Sequence, residues 1–122
     1  MPKFVQYILL LQGLYYVMTG LWPIVDIRSF EIVSGPKTDI WLVKTVSLLL
    51  TTVGITYLIS AREKQLTTSI RVLVTSVAGA LLFIDVYYNF KGIISDIYLI
   101  DGLIQLIFIL LWVFYFVRER NS

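Results

Sequence analysis

Ser29-Phe-Glu-Ile-Val-Ser-Gly-Pro-Lys-Thr-Asp-Ile-Trp-Leu-Val-Lys44 is the longest segment of this chain that is not simply hydrophobic. It places a glutamate, an aspartate, two lysines, a Gly-Pro pair and a tryptophan between two apolar runs. The run before it extends from Phe4 to about Val25, and at ~1.5 Å per residue a helix of that length covers the ~30 Å of a bilayer core. The run after it predicts a second span from about Pro36 to Ser60. Gly35 is expected as its cap and Pro36 at its first helical position. Thr38 and Asp39 then fall in the first turn, where the helix dipole favours an acid. Asp26–Gly35 reads as a loop. The segment is therefore a connector between membrane-spanning helices, and Glu31, Lys37, Asp39 and Trp41 are its candidate cap over the second span.

The whole composition agrees. Of 122 residues, 58% are hydrophobic and 15% charged, whereas a soluble domain is about half apolar and about a quarter charged. The length allows one domain, 1–122, holding four spans with short loops. The net charge of +2 is dispersed, which argues against nucleic acid as a partner. There is no cysteine and no histidine. Disulfide scaffolding, thiol redox chemistry, His-ligated haem, zinc-finger spacing and Cys/His nucleophilic catalysis are thereby excluded. No metal site, cofactor or catalytic residue is expected. The run from Phe4 exceeds a secretory signal core and no small-x-small site follows it, so it is expected to be a retained helix.

Two further spans complete an all-α, four-helix membrane bundle, with helices at about 4–25, 36–60, 70–90 and 96–117. Trp22-Pro23 suits an interfacial ring followed by a helix break. On the first span Gln12 and Tyr16 share a face, and an interhelical hydrogen bond is the expected use of Gln12. On the second, Lys44, Ser47, Thr51 and Gly54 form a polar-to-small stripe. On the third, Thr75, Ala78, Leu82, Asp85 and Asn89 align, with Gly79-Ala80 expected to mark close packing. On the fourth, Asp101, Gln105, Phe108, Trp112 and Tyr115 align. Lys91-Gly92 is a stop signal, and the tail is Arg118–Ser122.

Four spans put both termini on one side. That side holds Lys3, Arg62, Lys64, Arg71, Arg118 and Arg120 against Glu63 and Glu119. The other holds Arg28, Lys37, Lys44 and Lys91 against Asp26, Glu31, Asp39, Asp85, Asp96 and Asp101. The balances are +4 and −2, matching the total of +2. Basic residues favour the cytoplasmic face, so both termini are expected on the cytoplasmic side of a bacterial cytoplasmic membrane.

Counted from the opposite face, Lys44, Asp85 and Asp101 lie at similar depth, with Asn89 and Gln105 one turn from the two aspartates. An unpaired ionised group in hydrocarbon costs several kcal/mol, so these side chains are expected to turn inward. With two acids to one base, either one carboxyl keeps a proton or a cation or another donor fills the gap. A plain register-locking role for the same residues stands beside the pocket reading.

Arg28-Ser-Phe-Glu31, Gly35-Pro-Lys-Thr-Asp39 and Trp41-Leu-Val-Lys-Thr-Val46 together resemble the first-loop signature of a group of small bacterial four-helix membrane proteins. The resemblance covers about residues 20–54 and is architectural beyond. It implies the fold and carries over no catalytic residue. The layout is also similar to DoxX-like four-helix proteins in helix count and size. Small multidrug transporters are similar in size, but they rely on an acid in the first helix, and this first span contains none.

Three roles follow. The first is an accessory or structural component of the membrane, in a homo-oligomer or larger membrane complex surrounded by the lipid bilayer. The second is binding or transport of a small polar or amphipathic solute in an outward-facing pocket lined by Lys44, Asp85 and Asp101. The third is a membrane-embedded enzyme acting on a lipid, with the carboxylates as acid and base.

Overall fold

Each long apolar run forms a helix. The computed structural model describes residues 1–121. Among them are α1 (Lys3–Val25), α2 (Ile27–Ser34), α3 (Ile40–Ser60), α4 (Thr68–Phe90) and α5 (Ile97–Arg120), and no strand. All but α2 are long and apolar enough to cross a membrane. The all-α fold with four spans expected from the sequence is therefore observed. Backbone groups in hydrocarbon must be satisfied within the chain, and a helix does so locally. The described residues group into two units, Met1–Lys64 and the part from Gln65 onward.

In the first unit α1 and α3 run antiparallel, and the Met1 ammonium donates to the Lys64 carbonyl at 2.8 Å. Their backbones nearly touch. A Cβ on Gly54 would lie 2.7 Å from the Gly13 carbonyl oxygen, and one on Gly20 would lie 2.8 Å from that of Ser47. Lipid tails are as apolar as leucine, so close approach through small residues, rather than a hydrophobic drive, holds such helices together. The expected stripe is buried at Ser47, Thr51 and Gly54, and the Thr51 hydroxyl donates to the Ser47 carbonyl at 2.8 Å. Lys44, at the head of the stripe, is exposed. Gln12 is buried, and its Nε2 donates to the Tyr16 hydroxyl at 3.3 Å, one turn along its own helix. The Tyr16 ring in turn packs 5.6 Å from that of Tyr57 on α3.

The first connector contains a helix where a loop was expected. Asp26 accepts from the Ser29 amide at 3.3 Å and opens α2. Gly35, at φ 100°, closes it by donating its amide to the Glu31 carbonyl at 2.8 Å. Trp22 fastens α2 to α1, its indole donating to Ser29 Oγ at 2.8 Å and its ring meeting Phe30 edge-on at 5.5 Å. α1 accordingly continues past Pro23 to Val25.

α3 begins at Ile40, four residues later than expected. The carbonyl that opens it belongs to Asp39, which accepts from the amides of Leu42 at 3.0 Å and Val43 at 3.2 Å. Gly35 is spent on ending α2, so Pro36 and Thr38 lie in the connector and Asp39 precedes the first turn.

In the second unit α4 and α5 form an antiparallel hairpin. α4 starts at Thr68, because Thr67 caps it by accepting from the Ile70 amide at 3.3 Å. α5 runs to Arg120, three residues beyond the expected end. Its last turn is held by Glu119, which accepts two hydrogen bonds from the Arg71 guanidinium on α4, at 2.6 and 3.0 Å. Tyr115 donates to the same carboxylate at 2.7 Å, and the guanidinium lies 5.5 Å from the Phe116 ring centre. The expected faces are buried at Ala78 and Asp85 on α4 and at Gln105, Phe108 and Trp112 on α5. Gly79 takes no part in the close packing of α4 on α5: a Cβ there would meet nothing within 4 Å. Ser122, the end of the expected tail, lies outside the described residues.

Candidate functional site

The polar residues of the second unit gather near its loop. Asp85 is five residues before the end of α4, and Asp101 is the fifth residue of α5. At ~1.5 Å per residue both lie about 7 Å from the helix ends. Gly102 lies where the two helices meet. A Cβ on it would sit 3.4 Å from Asp85 Cβ and 3.8 Å from Asp85 Oδ2, ordinary contact distances that put this turn of α5 directly against Asp85. There Asp85 meets the Asp101 carboxyl. Asp85 is 4% exposed and Gln105, one turn along α5 from Asp101, is 1% exposed. Gln105 Nε2 donates to Asp101 Oδ1 at 3.3 Å.

The set is short of donors. Asp85 Oδ2 is buried and receives no hydrogen bond. Acceptor faces acceptor where the two carboxyls meet, which is a costly arrangement in a low-dielectric site. Asn89, one turn beyond Asp85, does not relieve it. Its Nδ2 donates to the Ile94 carbonyl at 3.3 Å and to Asp96 Oδ1 at 2.9 Å, and so ties the loop that Gly92, at φ 74°, turns. Of the five polar residues expected to form one cluster, the structure brings Asp85, Asp101 and Gln105 together and gives Asn89 to the loop. Lys44 is carried by α3, in the other unit.

The expected loop cap divides similarly. Glu31 Oε2 accepts the Lys37 amide at 3.3 Å. The Lys37 ammonium donates to the carbonyls of Ser34 and Gly35, each at 3.1 Å, and lies 5.7 Å from the Phe30 ring centre. Glu31 and Lys37 therefore seal the end of α2. Asp39 opens α3, and Trp41 is exposed on its first turn. Three contributors were not singled out from sequence: Gly102, Asp96 as partner of Asn89, and Arg71 as partner of Glu119. The i, i+4 offset of Glu119 from Tyr115 was visible. The pairing across α4 and α5 depends on their packing.

No group of three or more acids, cysteines or histidines able to hold a metal ion is found among the described residues. An apolar groove runs along one face of α4, lined by Leu82, Phe83, Val86, Tyr87 and Phe90. Four apolar helices with polar groups turned inward define the class: an integral membrane protein with multiple spans. Comparison of the chain with protein-family models, with curated proteins and with solved structures gave no match.

Proposed function

We propose that this protein is a small accessory or structural component of a bacterial cytoplasmic membrane, with both termini on the cytoplasmic side. The observation that carries the reading is where the helices spend their polar side chains. Ser47, Thr51, Gln12 and Tyr16 are buried in the α1–α3 unit, and Arg71, Tyr115 and Glu119 tie the ends of α4 and α5. The outward side chains are long and apolar, among them Leu11, Met18, Leu49, Phe83, Leu103 and Phe114, all at least half exposed. Such surfaces suit lipid and neighbouring spans. The resemblance over residues 20–54 supports the bacterial setting. The excess of Lys and Arg on the side of the termini supports the orientation.

Gentle extraction from native membranes, followed by mass spectrometry of everything retained, tests the role. A stoichiometric protein partner is expected, and a monodisperse chain that retains none counts against it. In the same cells, a C-terminal fluorescent-protein fusion is expected to fluoresce and an alkaline-phosphatase fusion to be inactive. The reverse pattern overturns the orientation.

A further inference from the structure

We propose that Asp85 and Asp101 form a proton-binding site in which the two carboxyls share one proton. This goes beyond an accessory role and does not depend on it. Four observations lead there. Asp85 is buried and its Oδ2 has no donor. The group it meets on the packed helix is another carboxyl, that of Asp101. The nearby amides are already committed, Gln105 Nε2 to Asp101 and Asn89 Nδ2 to the loop. Finally, the helix pair supplies no cation at this depth. Arg71 is bound to Glu119 at the far end of the pair, Arg118 and Arg120 lie at that same end, and Lys91 in the loop sits 4.9 Å from the Tyr87 ring centre.

A carboxylate held for structure alone is normally met by donors. Here the chain builds two acceptors and leaves the hydrogen between them to come from outside. One proton supplies the missing donor, removes one of two like charges and leaves the pair with a single negative charge. The titratable groups on the packed faces near the pair are Tyr88 on α4, and Tyr98 and Asp96 at the loop end of α5. Asp96 is already held by Asn89. The loop end lies about a turn and a half away, which gives the proton a short route to water.

A hydrophobic carbodiimide tests this on the full-length protein in phosphatidylcholine vesicles. The reagent reacts with a protonated carboxyl buried in the membrane. The acid proton moves to a carbodiimide nitrogen, the carboxylate oxygen adds to the central carbon, and the O-acylisourea rearranges to a stable N-acylurea of the same mass. Peptide mass spectrometry between pH 5.5 and 9 is expected to find one adduct per chain, on Asp85 or Asp101, with a rate that falls as pH rises. An Asn amide donates to the remaining carboxylate and removes its like-charged neighbour. Asp85→Asn and Asp101→Asn are therefore each expected to slow labelling of the other residue at pH 7.5 by about tenfold or more.

No adduct in the wild-type chain at any of these pH values overturns the proposal, and this result needs no variant to fold. Two adducts per chain overturn sharing. Protection by Na⁺ but not by choline shows a metal cation in the proton's place and also overturns it. Labelling that appears only in Lys44→Gln identifies that lysine as the counter-charge and excludes a shared proton.

Discussion

A single added methyl group at Gly54 should separate α1 from α3. Its Cβ would stand 2.7 Å from the Gly13 carbonyl oxygen, 2.8 Å from Val17 Cγ2 and 2.9 Å from the Val17 amide nitrogen. Two of these three neighbours are backbone and cannot rotate away. Restoring an ordinary 3.4 Å contact to the carbonyl requires the helices to part by about 0.7 Å, and that gap weakens the dispersion contacts along the crossing. Overpacking of this kind costs about 1–3 kcal/mol. The ~1 kcal/mol helix-propensity advantage of Ala over Gly gives little relief, because a span is helical whether or not it is packed. The reciprocal variant Gly13→Ala would place its Cβ 2.8 Å from the Gly54 carbonyl oxygen. Once either substitution has parted the helices the other costs less, so the double variant should lose less than the sum. The chain has no cysteine. Labels at Lys3→Cys and Arg62→Cys can therefore report α1–α3 separation by energy transfer during titration with SDS in mixed micelles. A Gly54→Ala midpoint equal to or above that of the parent refutes the reasoning, as does strict additivity. Gly79→Ala serves as the control on α4, where nothing lies within 4 Å and the α4–α5 transition should not move.

Two other outcomes follow from the α4–α5 hairpin. Asn89→Leu keeps the side chain's size but removes both loop hydrogen bonds, at a cost of about 1–2 kcal/mol, and should speed amide exchange at Ile93 and Ile94, whose amides both point to the Tyr88 carbonyl; unchanged exchange there would show that Gly92 alone sets the turn. Arg71→Lys keeps the charge but loses the forked contact with Glu119, so exchange in the last turn of α5, from Phe116 to Arg120, should rise and become more sensitive to salt. Protection equal to the parent would show that the fork is not what holds that end.

The spans were legible in the sequence because bilayer thickness converts directly into a count of apolar residues. The buried faces were legible because the helical period is the same in every helix. Ser47, Thr51 and Gly54 could thus be aligned, as could Gln105, Phe108 and Trp112, before any packing was known. The depth shared by Asp85 and Asp101 followed from the same counting. α2 escaped because Ile27–Ser34 is short and polar enough to read as a loop. Its end at Gly35 then displaced the start of α3 to Ile40.

Tertiary structure alone decided which glycines matter. Gly13, Gly20 and Gly54 face a backbone across the α1–α3 pair, whereas Gly79 faces none within the α4–α5 pair, although all four lie in apolar helices. It likewise decided that Asn89 serves the loop and that Gly102 lies against Asp85. These outcomes depend on atoms far apart in the chain coming within about 4 Å, which neither composition nor periodicity encodes. The opening segment shows the division clearly. Sequence determined that residues 29–44 connect two spans. Packing decided that Ser29, through Trp22, fastens a short helix and that Asp39, rather than Gly35, opens the next span.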